Sequence, residues 1–186
     1  EKAYGEGADG LKGLWSDILA KATAGDGAGV SAMLEKMVMT EADFAGVFPE
    51  TPLGVVALAP HEFVEPETLA GIMAAREVWT ATDWPHKLAR HHADAGRVFR
   101  EWNDAWLNPA FRDWNIEDYL PAIRCPVLAI QGEGDEYATM RQIEVIAERV
   151  PGSELLKLPR CGHSPHRDQP AAVLGALDGF VRRVAG

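Results

Sequence analysis

The chain has 186 residues, 47% of them hydrophobic and 25% charged, which is the balance of an ordinary globular domain. That composition argues against a disordered or fibrous chain, and no apolar run reaches the roughly 20 residues of a membrane-spanning helix. Its 28 acidic and 18 basic residues give a formal charge of −10, which repels nucleic-acid phosphates and anionic lipid. We therefore expect no nucleic-acid partner and no membrane partner. With two cysteines and no signal-peptide pattern, a cytoplasmic location is the default expectation.

Residues 1–52 are rich in glycine, and their apolar residues recur at helical spacing. We predict an N-terminal helical segment there. Residues 5–10, GEGADG, fit the pattern G-x-G-x-x-G, but no strand pattern precedes them. The phosphate-binding geometry of a dinucleotide site is therefore not expected, and nothing in the sequence points to a cofactor.

The apolar run 54–59, closed by Pro60, predicts a short strand that is buried on both faces. Residues 66–120 then show the patterns of several helices and contain five of the six tryptophans, at positions 79, 84, 102, 106 and 114. A stripe at helical spacing is typical of a buried face, so core packing is the favoured interpretation of these aromatic side chains. A ligand pocket is the alternative.

The last third of the chain alternates between strand and helix patterns. Apolar runs predict strands at 127–131 and 154–158, helical spacing predicts a helix over 140–150, and Pro170 begins a final helix. The apolar stripe of that final helix comprises Val173, Leu174, Leu177, Phe180, Val181 and Val184. Short connections between these elements predict a parallel βαβα unit, and hence an α/β fold with a three-stranded parallel sheet flanked by helices.

Polar residues follow two neighbouring strands of this predicted sheet. Asp135 comes shortly after one strand and His163 after the next, and the carboxyl ends of parallel strands share one edge. Because neighbouring strands lie about 4.8 Å apart, the two side chains can meet. Asp135 would then hold the imidazole in one tautomer, and His163 would act as a general base. His61 and Glu62 follow the first strand at the same edge, and with Trp79 they are our candidates for substrate binding.

These residues resemble the C-terminal part of the α/β-hydrolase fold family. The matching segments are 123–135 (IRCPVLAIQGEGD), 150–155 (VPGSEL) and 161–166 (CGHSPH), with 54–60 similar to the strand that precedes the cap. The resemblance covers 53–186 and implies a helical cap over 61–120 and a βαβα unit over 125–186. It also implies that Asp135 and His163 are the acid and base of a catalytic triad that hydrolyses esters or related carbonyl compounds.

The nucleophile of that family lies on a G-x-S-x-G turn upstream of the strand at 54–59. The chain contains no such motif, and the nearest approach, residues 29–33 (GVSAM), lacks the second glycine. Two hypotheses follow. The chain is a hydrolase whose nucleophile comes from another segment, a partner or activated water, or it is a non-catalytic scaffold that binds an apolar ligand.

Cys161 precedes His163 by two residues on the same predicted loop, so a packed thiol is favoured over a replacement nucleophile. Together with His163 and His166 it matches no standard zinc spacing, and we expect no metal. Cys125 and Cys161 would lie at opposite ends of neighbouring strands, too far apart for a disulfide.

The strand at 54–59 would be an interior strand in a larger sheet of this type. In a three-stranded sheet its outer edge needs cover, and an exposed apolar edge invites pairing with another strand. Either the N-terminal segment covers that edge or a second copy pairs with it. A two-fold axis would pair the two edges antiparallel, so we predict a homodimer through the 54–59 edge.

Overall fold

The computed structural model describes residue 49 and residues 52–185. Apart from positions 49 and 52, the predicted N-terminal helical segment lies outside the described residues, as do the G-x-G-x-x-G pattern and Ser31. The described elements are β1 (Val55–Leu58), α1 (Pro66–Ala81), α2 (Trp84–Ala89), α3 (Ala95–Leu107), β2 (Val127–Gly132), α4 (Arg141–Arg149), β3 (Glu154–Leu158), α5 (Pro165–Asp168) and α6 (Pro170–Ala185). Two 3-10 turns, Pro109–Phe111 and Glu117–Ala122, lie between α3 and β2.

In the part of the chain that the structure describes, three strands form one parallel sheet in the order β1-β2-β3. This confirms the predicted three-stranded parallel sheet flanked by helices. All six residues of the central strand β2 are buried, as expected for a strand that is covered on both faces. The carboxyl ends of the three strands therefore lie along one edge.

Side-chain alternation along β2 divides the core into two clusters. Val127 and Ala129 pack with residues of α4 and of the second 3-10 turn, including Ile143, Ile146 and Leu120. Leu128 and Ile130 face the other way and pack with Val173 and Phe180 of α6. Helices therefore cover both faces of the sheet. None of the helices within 52–185 is long and apolar enough to cross a membrane.

Helix α6 begins at Pro170 as predicted, but its apolar stripe is narrower than the sequence suggested. Val173 and Phe180 are buried, with Leu177 and Val184 packed against the same cluster. Leu174 and Val181 are 64% and 52% exposed, so their assignment to the core face is wrong. Each lies one residue beyond a buried position, which turns it about 100° around the helix axis and into solvent.

The helical segment between β1 and β2 is closed at its base by backbone contacts. Phe63 and Asn115 form an isolated antiparallel bridge, and Ile116 N–H donates to the Glu62 carbonyl oxygen at 2.8 Å. The buried side chain of Gln142, on α4, accepts from Glu62 N–H at 2.6 Å and donates to the Phe63 carbonyl oxygen at 3.1 Å. The start of the helical segment is thereby fixed to the sheet domain.

Helices α1 and α3 are held together by a buried amide. Asn103 accepts from Arg76 Nε at 2.7 Å and donates to the Ile72 carbonyl oxygen at 2.8 Å. Beside it, Trp79 stacks on the buried Phe99 ring with a centroid distance of 4.2 Å. The predicted core role is wrong for Trp84 and Trp102, which are both exposed. These two rings border a cleft instead.

Candidate active site

Asp135 and His163 meet at the carboxyl edge of the sheet. Asp135 lies in the loop after β2 and His163 in the loop after β3, and these two strands are neighbours. Nδ1 of His163 lies 3.0 Å from Oδ1 and 3.0 Å from Oδ2 of Asp135. The Asp135 side chain is fully buried, whereas the His163 side chain is 33% exposed. The predicted meeting of the two side chains is therefore confirmed.

Further hydrogen bonds fix the buried carboxylate. The Tyr137 N–H donates to Oδ1 of Asp135 at 2.9 Å, and Nε2 of Gln131 donates to Oδ2 at 3.2 Å. Gln131 is itself fully buried at the end of β2. These donors compensate the burial of the charge and set the carboxylate plane that the imidazole meets.

The loop that carries His163 is anchored to the loop that carries Asp135. His163 N–H donates to Oε2 of Glu136 at 3.1 Å, and Gly134 N–H donates to the Cys161 carbonyl oxygen at 2.9 Å. The two loops approach most closely at Gly132, where an added Cβ would lie 2.5 Å from the Gly162 carbonyl oxygen. A residue without a side chain is required at that point.

This geometry decides which ring nitrogen of His163 is available for chemistry. A carboxylate that accepts from Nδ1 keeps the proton on Nδ1, so Nε2 carries the lone pair in the neutral ring. The same carboxylate stabilises the imidazolium that forms when Nε2 takes a proton. The pair can therefore act as a general base and then as a general acid.

A second histidine lies beside the pair. The ring centroid of His61, after β1, is 5.8 Å from that of His163 and 4.9 Å from that of Trp106. Burial, with the nearby His163, lowers the pKa of His61 from 6.5 to about 4. Its buried Nδ1 makes no hydrogen bond within the described part of the chain. His61 is therefore neutral near pH 7 and presents an uncharged ring to His163.

Two strained backbone positions lead into these histidines. Ala59, just after β1, has φ 48°, and Arg160, just after β3, has φ 52°. The left-handed region costs residues other than glycine about 1–2 kcal/mol, and such positions are enriched at functional sites.

A cleft of about 550 Å³ lies between the helical segment and the Asp135–His163 pair. His163 and Tyr137 border it from the sheet side, and Trp79, Phe99 and Trp102 border it from the helical side. Trp79 thus lies where a substrate-binding residue would be expected. Glu62 is fully buried and is absent from the cleft wall, and His61 reaches the site through its contact with the His163 ring.

No family model matches the chain. Among solved structures, it is similar to BpoC of Mycobacterium tuberculosis H37Rv, named as a non-heme bromoperoxidase, with 18% identity and a TM-score of 0.55. It is also similar to the esterase RhEst1 of Rhodococcus sp. ECU1013 (14%, TM-score 0.53) and to proline iminopeptidase of Mycobacterium smegmatis (19%, TM-score 0.53). Each match covers 77% of this chain, and 62%, 61% and 61% of the other chain, respectively.

The described part of the chain has a partial α/β-hydrolase fold. The chain spans less than two thirds of the length of those three proteins. At identities below one fifth, the likeness is one of fold. Any activity of this chain therefore has to be argued from its own site.

Several residues at this candidate site were not predicted from the sequence. Gln131 and Tyr137 both donate hydrogen bonds to the Asp135 carboxylate, and the sequence could have indicated both. Gln131 is the polar residue in an otherwise apolar strand, and Tyr137 lies two residues after Asp135. Arg90, directly after α2, and Arg167, on α5, also border the cleft, which no sequence pattern predicts, because their positions depend on how the helices pack.

The thiol of Cys161 is packed inside the core. Cys161 is buried, and that burial raises the pKa of its thiol, which keeps the weakly nucleophilic protonated form. Cys125 and Cys161 are both free cysteines, consistent with the predicted lack of a disulfide. Within residues 52–185, no group of three His, Cys, Asp or Glu side chains is arranged to hold a metal ion.

Proposed function

We propose that this chain is a hydrolase of the α/β-hydrolase type, acting on an ester or a related carbonyl substrate. His163 is its general base, and Asp135 orients that base. The observation that supports this proposal is the contact between Asp135 and His163. Both oxygens of the buried Asp135 carboxylate lie 3.0 Å from Nδ1 of His163, and the His163 ring is still partly exposed and borders the cleft. This arrangement gives Nε2 the lone pair that proton abstraction needs.

The nucleophile that we propose for this reaction is a water molecule, the one of the three sources considered above that needs no residue beyond His163 and Asp135. Nε2 of His163 removes a proton from the water as the water oxygen forms a bond to the carbonyl carbon, and the π electron pair of the carbonyl moves to its oxygen to give a tetrahedral oxyanion. The resulting imidazolium, stabilised by Asp135, then gives its proton to the departing alkoxide as the carbon–oxygen bond breaks. The products are a carboxylic acid and an alcohol, and His163 returns to its neutral form.

The test is hydrolysis of p-nitrophenyl butyrate by the wild-type chain and by His163→Ala. We expect kcat/KM to fall by about 10²–10⁴ in the variant, the usual contribution of a general base. Asp135→Asn should lose most of the same factor, since the amide no longer holds the required tautomer. His166→Ala, which removes an exposed histidine three residues away, is the matched control and should retain wild-type turnover. Equal turnover in wild type and His163→Ala would contradict the proposal.

The second candidate function is a non-catalytic module that binds an apolar ligand. The aromatic wall of the 550 Å³ cleft favours it, because that volume lies within the usual range of small-molecule sites. Saturable binding of an apolar ligand, with no turnover that depends on His163, would support this candidate over the hydrolase.

A further inference from the structure

The charged side chains that border the cleft are positive, whereas the chain as a whole is negative. Although the chain carries a formal charge of −10, the cleft wall includes Lys87, Arg90 and Arg167 and no aspartate or glutamate of the described residues. These cations lie beside an aromatic wall that includes Trp79, Trp84, Phe99 and Trp102. The same cavity thus combines apolar surface with positive charge.

Of the three cations at the cleft, Arg90 and Arg167 are the two whose positive charge is not offset by an ion pair among the described residues. Lys87 pairs with Asp83 at 2.9 Å, which offsets its charge. Among residues 52–185, neither Arg90 nor Arg167 has an ion pair or a side-chain hydrogen bond, and both side chains are exposed. A guanidinium group presents a planar fork of donors that fits a carboxylate bidentately. Low-dielectric walls nearby strengthen its attraction for an anion.

One of these arginines is tied closely to the catalytic loop. Arg167 lies on α5, four residues after His163, and both residues border the cleft. A ligand held by Arg167 therefore lies in the same cavity as the proposed general base. Arg90, the residue that directly follows α2, also borders the cleft.

We propose that the cleft binds an amphipathic anion, that is, a molecule with an aromatic or extended apolar body and one carboxylate or similar anionic group. The body packs on the tryptophan and phenylalanine wall, and the anionic group binds Arg90 and Arg167. For the hydrolysis at His163, on which this assignment of a substrate class rests, the preferred substrate is an ester that carries a free carboxylate.

The binding test uses two fluorescent probes with the same aromatic frame. 8-Anilinonaphthalene-1-sulfonate carries an anionic group, and N-phenyl-1-naphthylamine lacks it. We expect the wild-type chain to bind the sulfonate more tightly, with an affinity that falls as salt rises. The double variant Arg90→Gln/Arg167→Gln should lose about tenfold in sulfonate affinity, equivalent to about 1.4 kcal/mol, and bind the neutral probe as before.

Two control variants test whether the change in probe affinity arises within the cleft. Arg112→Gln removes one exposed positive charge outside the cleft and should leave both affinities unchanged. Trp102→Ala alters the aromatic wall and should weaken both probes. Equal affinity of the two probes for wild type, or an unchanged sulfonate affinity in the double variant, would overturn the proposed anion site.

Turnover then separates this inference from the proposed reaction. Mono-p-nitrophenyl glutarate and p-nitrophenyl pentanoate have the same chain length and differ in one terminal carboxylate. We expect the charged ester to have the lower KM, and the double variant to remove that difference in KM between the two esters. If the chain binds the sulfonate probe more tightly than the neutral probe but hydrolyses neither ester, the proposed anion site is supported and the proposed hydrolase activity is contradicted. If the chain hydrolyses the esters but does not distinguish the charged from the neutral probe or ester, the proposed hydrolase activity is supported and the proposed anion site is contradicted.

Discussion

His61 and His163 lie side by side but have opposite environments. His163 has a carboxylate on Nδ1 and a partly exposed ring, whereas His61 is largely enclosed and has no described hydrogen-bond partner at its Nδ1. Because a charged His61 would repel an imidazolium at His163, the proposed role of His163 as a base requires a neutral His61. Of the two rings, His163 is therefore the candidate base and His61 its neutral neighbour.

The low pKa of His61 makes the stability of the fold depend on pH. The pKa is 6.5 in the unfolded chain and about 4 in the folded chain, so between these values the unfolded state binds more protons. The free energy of unfolding therefore falls as pH drops through this window, by up to about 3 kcal/mol from this group. Urea unfolding at pH 7.5 and pH 4.5 should show a smaller loss for His61→Gln than for wild type.

The exposed His166 provides the comparison for that experiment. His166→Gln should show the same loss of stability between the two pH values as wild type does. If His61→Gln and wild type lose equal stability, the acid sensitivity arises elsewhere, and the neutral state of His61 is contradicted.

At the scale of elements, the sheet could be predicted because its strands are short apolar runs between turn residues. The strand Glu154–Leu158 was predicted with its observed bounds, and α6 begins at the predicted Pro170. The parallel order then brought Asp135 and His163 to one edge. The cleft could not be predicted in this way, since the positions of Trp84 and Trp102 depend on how α1, α2 and α3 pack together.

The contact between the loops that carry Asp135 and His163 depends on Gly132 at the end of β2. An added Cβ would lie 2.5 Å from the Gly162 carbonyl oxygen and closer still to that of Cys161, and backbone atoms cannot rotate away. We expect Gly132→Ala to lower the free energy of unfolding by about 1–3 kcal/mol, the usual cost of overpacking. It should also lower turnover, because the loop that carries His163 must move away from Asp135.

Gly175 is the matched control for that substitution. It lies in α6, and a Cβ added there meets no atom within 4 Å. Gly175→Ala should raise stability by up to about 1 kcal/mol through helix propensity. Urea midpoints of the two variants therefore move in opposite directions, and an unchanged midpoint for Gly132→Ala would contradict the close approach.

At the scale of the whole molecule, the described sheet has three strands, and β1 lies at one of its edges. The chain spans 62% of BpoC and 61% of RhEst1, and within residues 52–185 strand β1 pairs with β2 alone. The hydrogen bonds of β1 show which groups face outward. Val55 N–H and Ala59 N–H donate to the carbonyl oxygens of Pro126 and Ile130, so by alternation the N–H groups of Val56 and Leu58 point away from β2.

We expect those outward groups to pair antiparallel with the same strand of a second copy, in a two-fold dimer. Val56→Pro removes one outward donor and leaves the donors to β2 in place, as proline does on an edge strand. Sedimentation equilibrium should show a dimer for wild type and a monomer for Val56→Pro. Val56→Thr, which keeps the N–H and a β-branched side chain, should remain a dimer. A monomeric wild type, or a dimer that persists in Val56→Pro, would contradict pairing through this edge.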